Sequence, residues 1–421
     1  MSVVILRGDA ANLPMADESV DLICTSPPYW NQRAYTDNGE VYDGQIGNES
    51  TPGEYIDALL ECTKEWVRVL KPSGSIWVVL GDKYSDRADG GPSSARSGRE
   101  DRAEVLPPGR SSAAFAPRKS LLMLPERYRI ACVDQLSLTA RAKVVWHKPS
   151  PMPESVTDRV KVSHEDVVHL VKGERYFSAL DEVRWPLASP GRKAGKTAFG
   201  ARNASHLRAA TGEYDGQNPL GAVPGSVWEI ATVPLVIPPA VAHARCCGGL
   251  DPGCENGLAH YAAYPPALCR RIITGWSPSG ICTACGEGRR PVSTGERVNT
   301  RPLIPLPAHL AAHGEDGRAF SRGITTRAIT GYACACPQPD APTRPAVVLD
   351  PFAGTGTTML TASVLGRVGV GVDRSADYCR IAQWRTADPA ERARALGVPK
   401  PPPVGTGQGS LFDGLEDGAA S

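Results

Sequence analysis

Residues 20–30 read Val-Asp-Leu-Ile-Cys-Thr-Ser-Pro-Pro-Tyr-Trp, and this stretch decides the fold. The apolar run from Val20 to Thr25 is typical of a buried strand. The two prolines that follow stop a strand or a helix and fix a rigid turn. Because ligands bind at the carboxyl ends of strands in open α/β sheets, the sequence predicts a binding site at this turn. The alternative is a plain strand and Pro-Pro turn, packed by an aromatic residue.

The residues of the turn favour a flat heterocycle as the ligand. The Ser26 hydroxyl and the backbone carbonyls can accept hydrogen bonds from an exocyclic amine. The Tyr29 ring can stack on the heterocycle, and such stacking is worth about 1–3 kcal/mol per base.

A second strand-turn pattern lies at residues 347–358, which read Val-Val-Leu-Asp-Pro-Phe-Ala-Gly-Thr-Gly-Thr-Thr. Glycines let the backbone approach a ligand closely, and Thr357 or Thr358 can cap the helix that follows. The next apolar run ends in Asp373, and an acidic residue at that position commonly accepts hydrogen bonds from ribose hydroxyls. The two patterns together predict a nucleoside pocket.

These motifs resemble those of DNA amino-methyltransferases, which use S-adenosylmethionine. Ser-Pro-Pro-Tyr at 26–29 is similar to the family's catalytic motif, and Asp-Pro-Phe-Ala-Gly-Thr-Gly at 350–356 to its cofactor motif. The catalytic motif comes first, which is the order of the family's beta group, found in restriction-modification systems and as orphan enzymes. Other similar stretches are Val3 to Ala10, Gly44 to Gly47, Val69 to Pro72, Leu80 to Asp82, Val145 to Pro149, Glu154-Ser155 and Ser163 to Glu165.

The resemblance implies an α/β fold: a circularly permuted Rossmann-like methyltransferase sheet. We also expect an inserted target-recognition region, from its charge, and a zinc-knuckle insertion, from its cysteine spacing. The resemblance further implies transfer of a methyl group from S-adenosylmethionine to the exocyclic amine of a flipped base in double-stranded DNA. The implied catalytic residues are Ser26, Pro27, Pro28 and Tyr29. The implied cofactor-binding residues are Asp9, Ala10, Tyr261, Asp350, Pro351, Phe352, Gly354, Gly356, Thr357 and Asp373.

The base and the class of activity leave alternatives. Ser26 in the first position of the motif resembles enzymes that methylate cytosine N4, whereas Asp or Asn is commoner in those that methylate adenine N6. No Pro-Cys dipeptide occurs, which argues against methylation of cytosine carbon 5. A non-catalytic DNA-binding protein tethered to a clamp is the alternative of another class. Methylation of RNA or of a protein glutamine is a third, although that class usually has Asn before Pro-Pro-Tyr.

Length, charge and hydropathy bound the architecture. The chain has 421 residues and a net charge of +1, so a DNA-binding surface requires an uneven charge distribution. No apolar run reaches membrane-spanning length, and we expect a cytoplasmic protein without a signal peptide. We divide the chain into a catalytic half (1–82), a mobile insertion (83–118), further core (119–184), the target-recognition region (185–226), core with a cofactor-proximal helix (227–281), a cysteine insertion (282–345), a cofactor-binding half (346–390) and a disordered tail (391–421).

The target-recognition region is inferred from its charge. It contains six basic side chains before its first acidic one at Glu213, and such side chains neutralise phosphates and read base edges. A solvated basic loop is the alternative. The residues are Arg192, Lys193, Lys196, Arg202, His206 and Arg208.

Two groups of cysteines suggest metal sites. Cys282 and Cys285 form one close pair and Cys334 and Cys336 another, which suits a structural tetrahedral zinc; four reduced thiols in a loop are the alternative. The spacing in the second group is irregular. It contains Cys246, Cys247 and Cys254, which Cys269 or His243 could complete.

The tail contains a short peptide that resembles the motif by which bacterial proteins dock on the DNA sliding clamp. Residues 408–412 read Gln-Gly-Ser-Leu-Phe, so Gln408, Leu411 and Phe412 are the candidate contacts. Gly409 stands where the motif usually has Leu, and a chance match is the alternative. A cognate restriction endonuclease is the other partner that the resemblance implies.

Overall fold

The computed structural model describes residues 3–32, 36–37, 40–41, 44–85, 115–187, 218–244, 247–248, 263–299 and 323–399. The strands are β1 Val3–Arg7, β2 Val20–Thr25, β3 Thr36–Asp37, β4 Glu40–Val41, β5 Leu70–Leu80, β6 Thr139–His147, β7 His164–Val171, β8 Val227–Glu229, β9 Ile281–Cys282, β10 Arg290–Asn299, β11 Gly323–Ala333, β12 Thr343–Arg344, β13 Val347–Asp350 and β14 Val368–Asp373. The helices are α1 Pro52–Val69, α2 Leu124–Leu136, α3 Pro239–Ala242, α4 Pro266–Trp276, α5 Thr357–Val364, α6 Ala376–Ala387 and α7 Pro389–Leu396, with a 3-10 turn at Leu180–Val183.

The centre of the molecule is an eight-stranded mixed sheet in the order β1-β14-β13-β2-β5-β7-β6-β8. All neighbours from β1 to β5 are parallel, and β7 runs antiparallel to both β5 and β6. Two strands from the C-terminal part of the chain, β13 and β14, therefore lie between two from the N-terminal part, β1 and β2. The α/β class is confirmed, because helices cover both faces of this sheet.

Each face of the sheet has its own apolar core. Ile76, Val78 and Leu80 of β5 belong to the cluster that includes α1, whereas Trp77 and Val79 belong to the cluster that includes α4. This alternation follows from the period of two along a strand. The second half of β5 is buried on both faces, and residues 76–80 accordingly form a continuous apolar run rather than an alternating one.

The apolar side chains of residues 52–70 recur at helical spacing and predict a helix, and α1 begins and ends almost at these bounds. Thr51 and Glu54 form a reciprocal capping box, and Pro52 occupies the first helical position. The helix ends at Val69, and β5 follows at once from Leu70.

Two sequence predictions about helices are wrong. The predicted disordered tail begins too early, because 391–396 lie in α7, where Ala393 and Ala395 are buried. Neither Thr357 nor Thr358 caps α5: the N-cap is Gly356, with φ of 84° and no side-chain cap. A side chain there would place its Cβ atom 2.9 Å from that of Ala382, so only glycine fits the position.

The cysteine insertion is a β-hairpin that the sequence did not predict. Strands β10 and β11 pair antiparallel over ten residues of β10, with a bulge between Val292 and Ser293. Strands β9 and β12 pair at the base of this hairpin. The helices that the structure describes include none long and apolar enough to cross a bilayer.

Candidate active site

The Pro-Pro turn and the glycine turn lie at the same edge of the sheet. Strands β2 and β13 are parallel neighbours, with Leu22 beside Val348 and Ile23 beside Leu349. Their carboxyl ends therefore meet, and the Thr25 hydroxyl donates a hydrogen bond of 2.6 Å to Oδ1 of Asp350. The structure thus brings together two motifs that are 325 residues apart in the chain.

Asp350 is buried, with 1% of its surface exposed, and several donors surround its carboxylate. Tyr264 and Thr358 each donate to Oδ2 at 2.8 Å, and the backbone N–H of Phe352 donates to Oδ1 at 3.1 Å. Burial raises the pKa of Asp350 to about 6, and these hydrogen bonds oppose the rise. Asp350 therefore connects β2, the glycine turn and the segment before α4.

Within the predicted catalytic motif, the two proline carbonyls have different surroundings. Tyr55 of α1 donates a hydrogen bond of 2.9 Å to the Pro28 carbonyl. Among the described residues, none donates to the Pro27 carbonyl. Ser26 is half-buried and Pro27 is buried. Pro28 thus anchors the turn on α1, while Ser26 and Pro27 supply the acceptors that remain.

The Tyr29 side chain is fixed at both its ring and its hydroxyl group. The hydroxyl donates to Oε2 of Glu165 at 2.7 Å, and Lys148 forms an ion pair with Oε1 of the same carboxylate. A Cβ atom at Gly81 would lie 2.7 Å from the Tyr29 ring, so the ring packs directly on this glycine. Burial first, and then the charge of Glu165, raise the pKa of Tyr29 well above its ordinary value. Tyr29 therefore remains protonated.

Sequence reasoning assigned no role to Glu165, Lys148, Thr25 or Tyr264. The available signal was that Glu165 and Lys148 lie in stretches similar to the family. Tyr264 stands three residues after Tyr261, to which we assigned a cofactor contact. Tyr261 itself lies outside the described residues.

Most of the predicted cofactor-binding residues lie at or just beyond the carboxyl ends of β1, β13 and β14. Gly354 donates its backbone N–H to Oδ2 of Asp373 at 2.8 Å, and Ser375 donates to Oδ1 at 2.9 Å. Gly354 and Gly356 have positive φ angles of 48° and 84°. Pro351 joins Asp350 to Phe352 within this turn.

Asp9 and Ala10 follow β1 at the same edge. The side chain of Asp9 is 51% exposed, and one of its oxygens lies 3.9 Å from Arg374. The Ala10 carbonyl accepts a hydrogen bond of 3.1 Å from the Trp66 indole, which packs edge-on against Phe352. One aromatic contact therefore connects the two ends of the predicted cofactor site.

The Thr357 side chain serves the interior of the protein instead. It is 3% exposed, and its hydroxyl accepts a hydrogen bond of 2.7 Å from Arg385. Arg385 also donates to the Thr355 hydroxyl at 3.0 Å and to Glu391 at 2.8 Å. The predicted cofactor role of Thr357 therefore rests on its backbone alone.

The four cysteines of the insertion converge. Their sulfur atoms all lie within 4.8 Å of one another, and those of Cys285 and Cys334 are 3.8 Å apart. A tetrahedral zinc with Zn–S bonds of ~2.3 Å places its sulfur ligands ~3.8 Å apart. Backbone N–H groups of Cys285 and Ala284 point at the Cys282 sulfur and lower its pKa to about 6. The side chains of Cys282, Cys285, Cys334 and Cys336 thus fit a zinc ion.

Several other predicted features lie wholly or partly outside the described residues. These are Cys246 and Cys254 of the second cluster, the six basic side chains of the target-recognition region, residues 86–114 of the insertion and the tail peptide. Trp185 and Ala222, near the two ends of the target-recognition region, form an antiparallel bridge. Cys269 is buried in α4, and its thiol interacts with Cys24.

Two curated relatives are similar to part of the chain. The type II methyltransferase M.SfiI of Streptomyces fimbriatus is 36% identical over 177 residues, which are 42% of this chain and 36% of that protein. The type II methyltransferase M.SmaI of Serratia marcescens is 33% identical over 198 residues, or 45% of this chain and 62% of that protein. The matches thus span between about one third and two thirds of these relatives.

Among solved structures, the PvuII DNA methyltransferase (cytosine-N4-specific) aligns with 95% of this chain and 94% of its own. The sequence identity is 17% and the TM-score is 0.48.

A family model, described as DNA methylase and covering N6 and N4 methyltransferases, matches residues 20–282 and 343–384. Both strand-end motifs lie within the matched segments, whereas 283–342, which form most of the cysteine insertion, do not. Because the matched segments make up well over half of the chain, the protein belongs to this family of DNA amino-methyltransferases.

Proposed function

We propose that the protein transfers a methyl group from S-adenosylmethionine to the exocyclic amine of a flipped base in double-stranded DNA, and that the base is cytosine, methylated at N4. The observation that carries this proposal is the hydrogen bond between Thr25 and Asp350. It joins the strand that ends in the base-binding turn to the strand that ends in the cofactor turn, as a reaction between two bound molecules requires.

The cofactor edge has the donors and acceptors that a nucleoside needs. The Asp373 carboxylate accepts backbone N–H groups from Gly354 and Ser375, which fixes its orientation at the end of β14, and we assign it the ribose hydroxyls. The turn from Asp350 to Gly356 offers backbone close to the ligand, and Asp9 and Ala10 border the site on the far side of β14. S-adenosylmethionine supplies an electrophilic methyl group on a sulfonium.

The protein's own part is to bind and orient the amine. The Ser26 hydroxyl and the Pro27 carbonyl accept its two hydrogens, which holds the nitrogen close to tetrahedral and directs its lone pair. These acceptors also stabilise the positive charge that develops on nitrogen. Tyr29 stacks on the extruded base and offsets part of the few kcal/mol that extrusion costs.

Cytosine N4 is favoured over adenine N6 because Ser26 in the first position of the motif resembles the enzymes that methylate cytosine N4. The test is expression in a host that lacks DNA methylation, followed by mass spectrometry of the nucleosides from its DNA. We expect N4-methylcytosine. N6-methyladenine would overturn the choice of base, and no modified base, together with no transfer of label from S-adenosylmethionine in vitro, would favour the non-catalytic DNA-binding alternative.

The four cysteines of the insertion bind one zinc ion. The ion is structural rather than catalytic, because four thiolate ligands leave no open coordination position. Metal analysis of the purified protein should give one zinc per chain.

The sheet order supports the proposed circular permutation: the cofactor strands β13 and β14 follow the catalytic strands in the chain yet lie beside β2.

The target-recognition region, the sliding clamp and a cognate endonuclease remain proposals that rest on the sequence. The target-recognition region at 185–226 contacts the DNA, and the tail peptide with Gln408, Leu411 and Phe412 docks on the sliding clamp. A cognate endonuclease would recognise the same DNA site. Co-purification with the clamp, compared between the full chain and a Leu411→Ala variant, tests the second proposal.

A further inference from the structure

A line of hydrogen bonds leads from the catalytic serine to a carboxylate near the surface. Ser26 donates to the Tyr29 hydroxyl at 3.5 Å, and Tyr29 donates to Oε2 of Glu165 at 2.7 Å. The first distance is at the upper limit for a hydrogen bond, and such contacts commonly shorten once substrate is bound. The side chains of Glu165 and its partner Lys148 are 16% and 21% exposed, so the line ends next to solvent.

The proposed reaction needs such a route, because methyl transfer leaves a surplus proton. When the amine nitrogen forms its bond to the methyl carbon, the bond between that carbon and sulfur breaks and sulfur keeps the electron pair. The product amine is then positively charged and must lose one N–H proton. Ser26 is hydrogen-bonded to that proton in the proposed complex, but a serine hydroxyl cannot keep it at neutral pH.

A second carboxylate, that of Asp82, accepts hydrogen bonds from the backbone and so has a structural role. Its oxygens accept backbone N–H groups from Lys83, Met123 and Leu124, at 2.8, 3.0 and 3.1 Å, and so cap the start of α2. Glu165 accepts instead from one side-chain hydroxyl and one ammonium group. Of these two carboxylates, only Glu165 has a hydrogen-bonded path to Ser26 among the described residues.

We propose that Glu165 is a positioning residue that receives the surplus proton through Tyr29. Ser26 takes the proton from the methylated amine while its own hydroxyl proton passes to the Tyr29 oxygen. The Tyr29 proton passes to Oε2 of Glu165, so that Ser26 and Tyr29 end neutral and Glu165 ends protonated, next to solvent that takes the proton away. Lys148 balances the carboxylate charge between turnovers, and its ammonium lies 4.7 Å from the centre of the Trp146 ring.

The proposal rests on the proposed function and deepens it, and its test separates the two. Unmodified genomic DNA serves as methyl acceptor, with labelled S-adenosylmethionine as donor. We expect Glu165→Gln to lower kcat between about tenfold and a hundredfold, with the KM values for DNA and for S-adenosylmethionine within threefold of wild type. Tyr29→Phe, which keeps the ring and removes the hydroxyl, should show the same defect.

Chemical rescue distinguishes proton acceptance from ring orientation. Glu165→Ala should regain activity when formate is added, because the small carboxylate can occupy the vacated position. The matched control is Glu229→Gln, which changes an exposed carboxylate that accompanies His147 on neighbouring strands, and it should behave as wild type.

Turnover of Glu165→Gln within threefold of wild type, a rise in KM alone, or failure of formate to restore Glu165→Ala would overturn the proposal. Should Glu165→Ala fail to fold, the comparison of Tyr29→Phe with wild type decides the matter, and normal turnover of that variant would overturn the proposal. If wild-type protein transfers no label, the proposed function itself has failed.

Discussion

The Thr25 hydroxyl donates a 2.6 Å hydrogen bond to the Asp350 carboxylate, and this bond connects β2 with its parallel neighbour β13. Both groups are buried, so water cannot replace either partner. The register of β2 against β13 is thereby fixed at the point where the two turns begin. The distance between the proposed base site and the proposed cofactor site depends on this register.

Replacement of Thr25 by valine tests that dependence. The change keeps the shape of the side chain and removes the donor, and a hydrogen bond to a charged group is worth about 1.5–3 kcal/mol. We expect the free energy of unfolding, measured in urea, to fall by about 2 kcal/mol. We also expect kcat/KM to fall at least tenfold, since small misplacements of reacting groups are costly. Thr25→Ser retains the hydroxyl and should preserve both quantities; equal losses in the two variants would contradict the argument.

The buried Asp350 should make stability depend on pH. Burial raises its pKa in the folded state from 3.8 to about 6, so the folded state binds a proton more readily than the unfolded state does. The contribution of this group to stability therefore increases as the pH falls through 6 and is lost as the pH rises above it. Between pH 7.5 and pH 5, the free energy of unfolding of wild type should gain about 1 kcal/mol relative to Asp350→Asn. Parallel pH profiles of the two proteins would show that Asp350 does not titrate in this range.

A buried ion pair between Arg385 and Glu391 packs against the glycine turn at residues 350–356. Arg385 contacts both Thr355 and Thr357 and pairs with Glu391, and both charged side chains are at least nine-tenths buried. Removing one partner of a buried pair leaves an uncompensated charge, which costs about 3–5 kcal/mol. Glu391→Gln should lower the free energy of unfolding by that amount and weaken binding of S-adenosylmethionine, measured by calorimetry.

The second ion pair of Glu391 provides a matched control for the measurements of stability and cofactor binding. The other carboxylate oxygen of this residue pairs with Arg394, whose side chain is 42% exposed. An exposed pair is worth less than about 1 kcal/mol. Arg394→Gln should therefore leave both stability and cofactor binding nearly unchanged, and a large loss in this variant would indicate that the helix, and not the buried charge, supports the turn.

Local signals predicted the elements that form the site. The apolar runs before Ser26 and before Gly354 are long enough to identify strands, and a proline pair or a glycine turn marks where each ends. Helix α1 was predicted to within one residue because its periodicity is regular and Pro52 marks its start. These features depend on residues that are neighbours in the chain.

Features that depend on the sheet order were not predictable in this way. The contact between Tyr29 and Glu165 arises because β7 is inserted antiparallel between β5 and β6, which no local pattern specifies. The hairpin of β10 and β11 was missed because its strands have no regular alternation of apolar and polar residues. Its described side chains, at 290–295 and 326–333, are exposed or half-buried. Helix α7 was missed for another reason: composition suggested disorder, although Asp388, Pro389 and Gly397 are capping residues at both of its ends.

The proposed zinc site and the proposed active site lie at opposite edges of the sheet, and removal of the metal should show this. Strand β12 precedes the amino end of β13, whereas the glycine turn follows the carboxyl end, so the cysteines lie at the opposite edge of the sheet. A cleft there is lined by Asp21 and Ser73 from the starts of the core strands and by Glu287 from the cysteine turn. Cys285→Ser should therefore abolish zinc binding and make the hairpin sensitive to proteases, while kcat changes less than threefold. Ala284→Ser, which keeps all four ligands, should retain one zinc per chain, and loss of activity on zinc removal would show instead that the insertion acts on the catalytic edge.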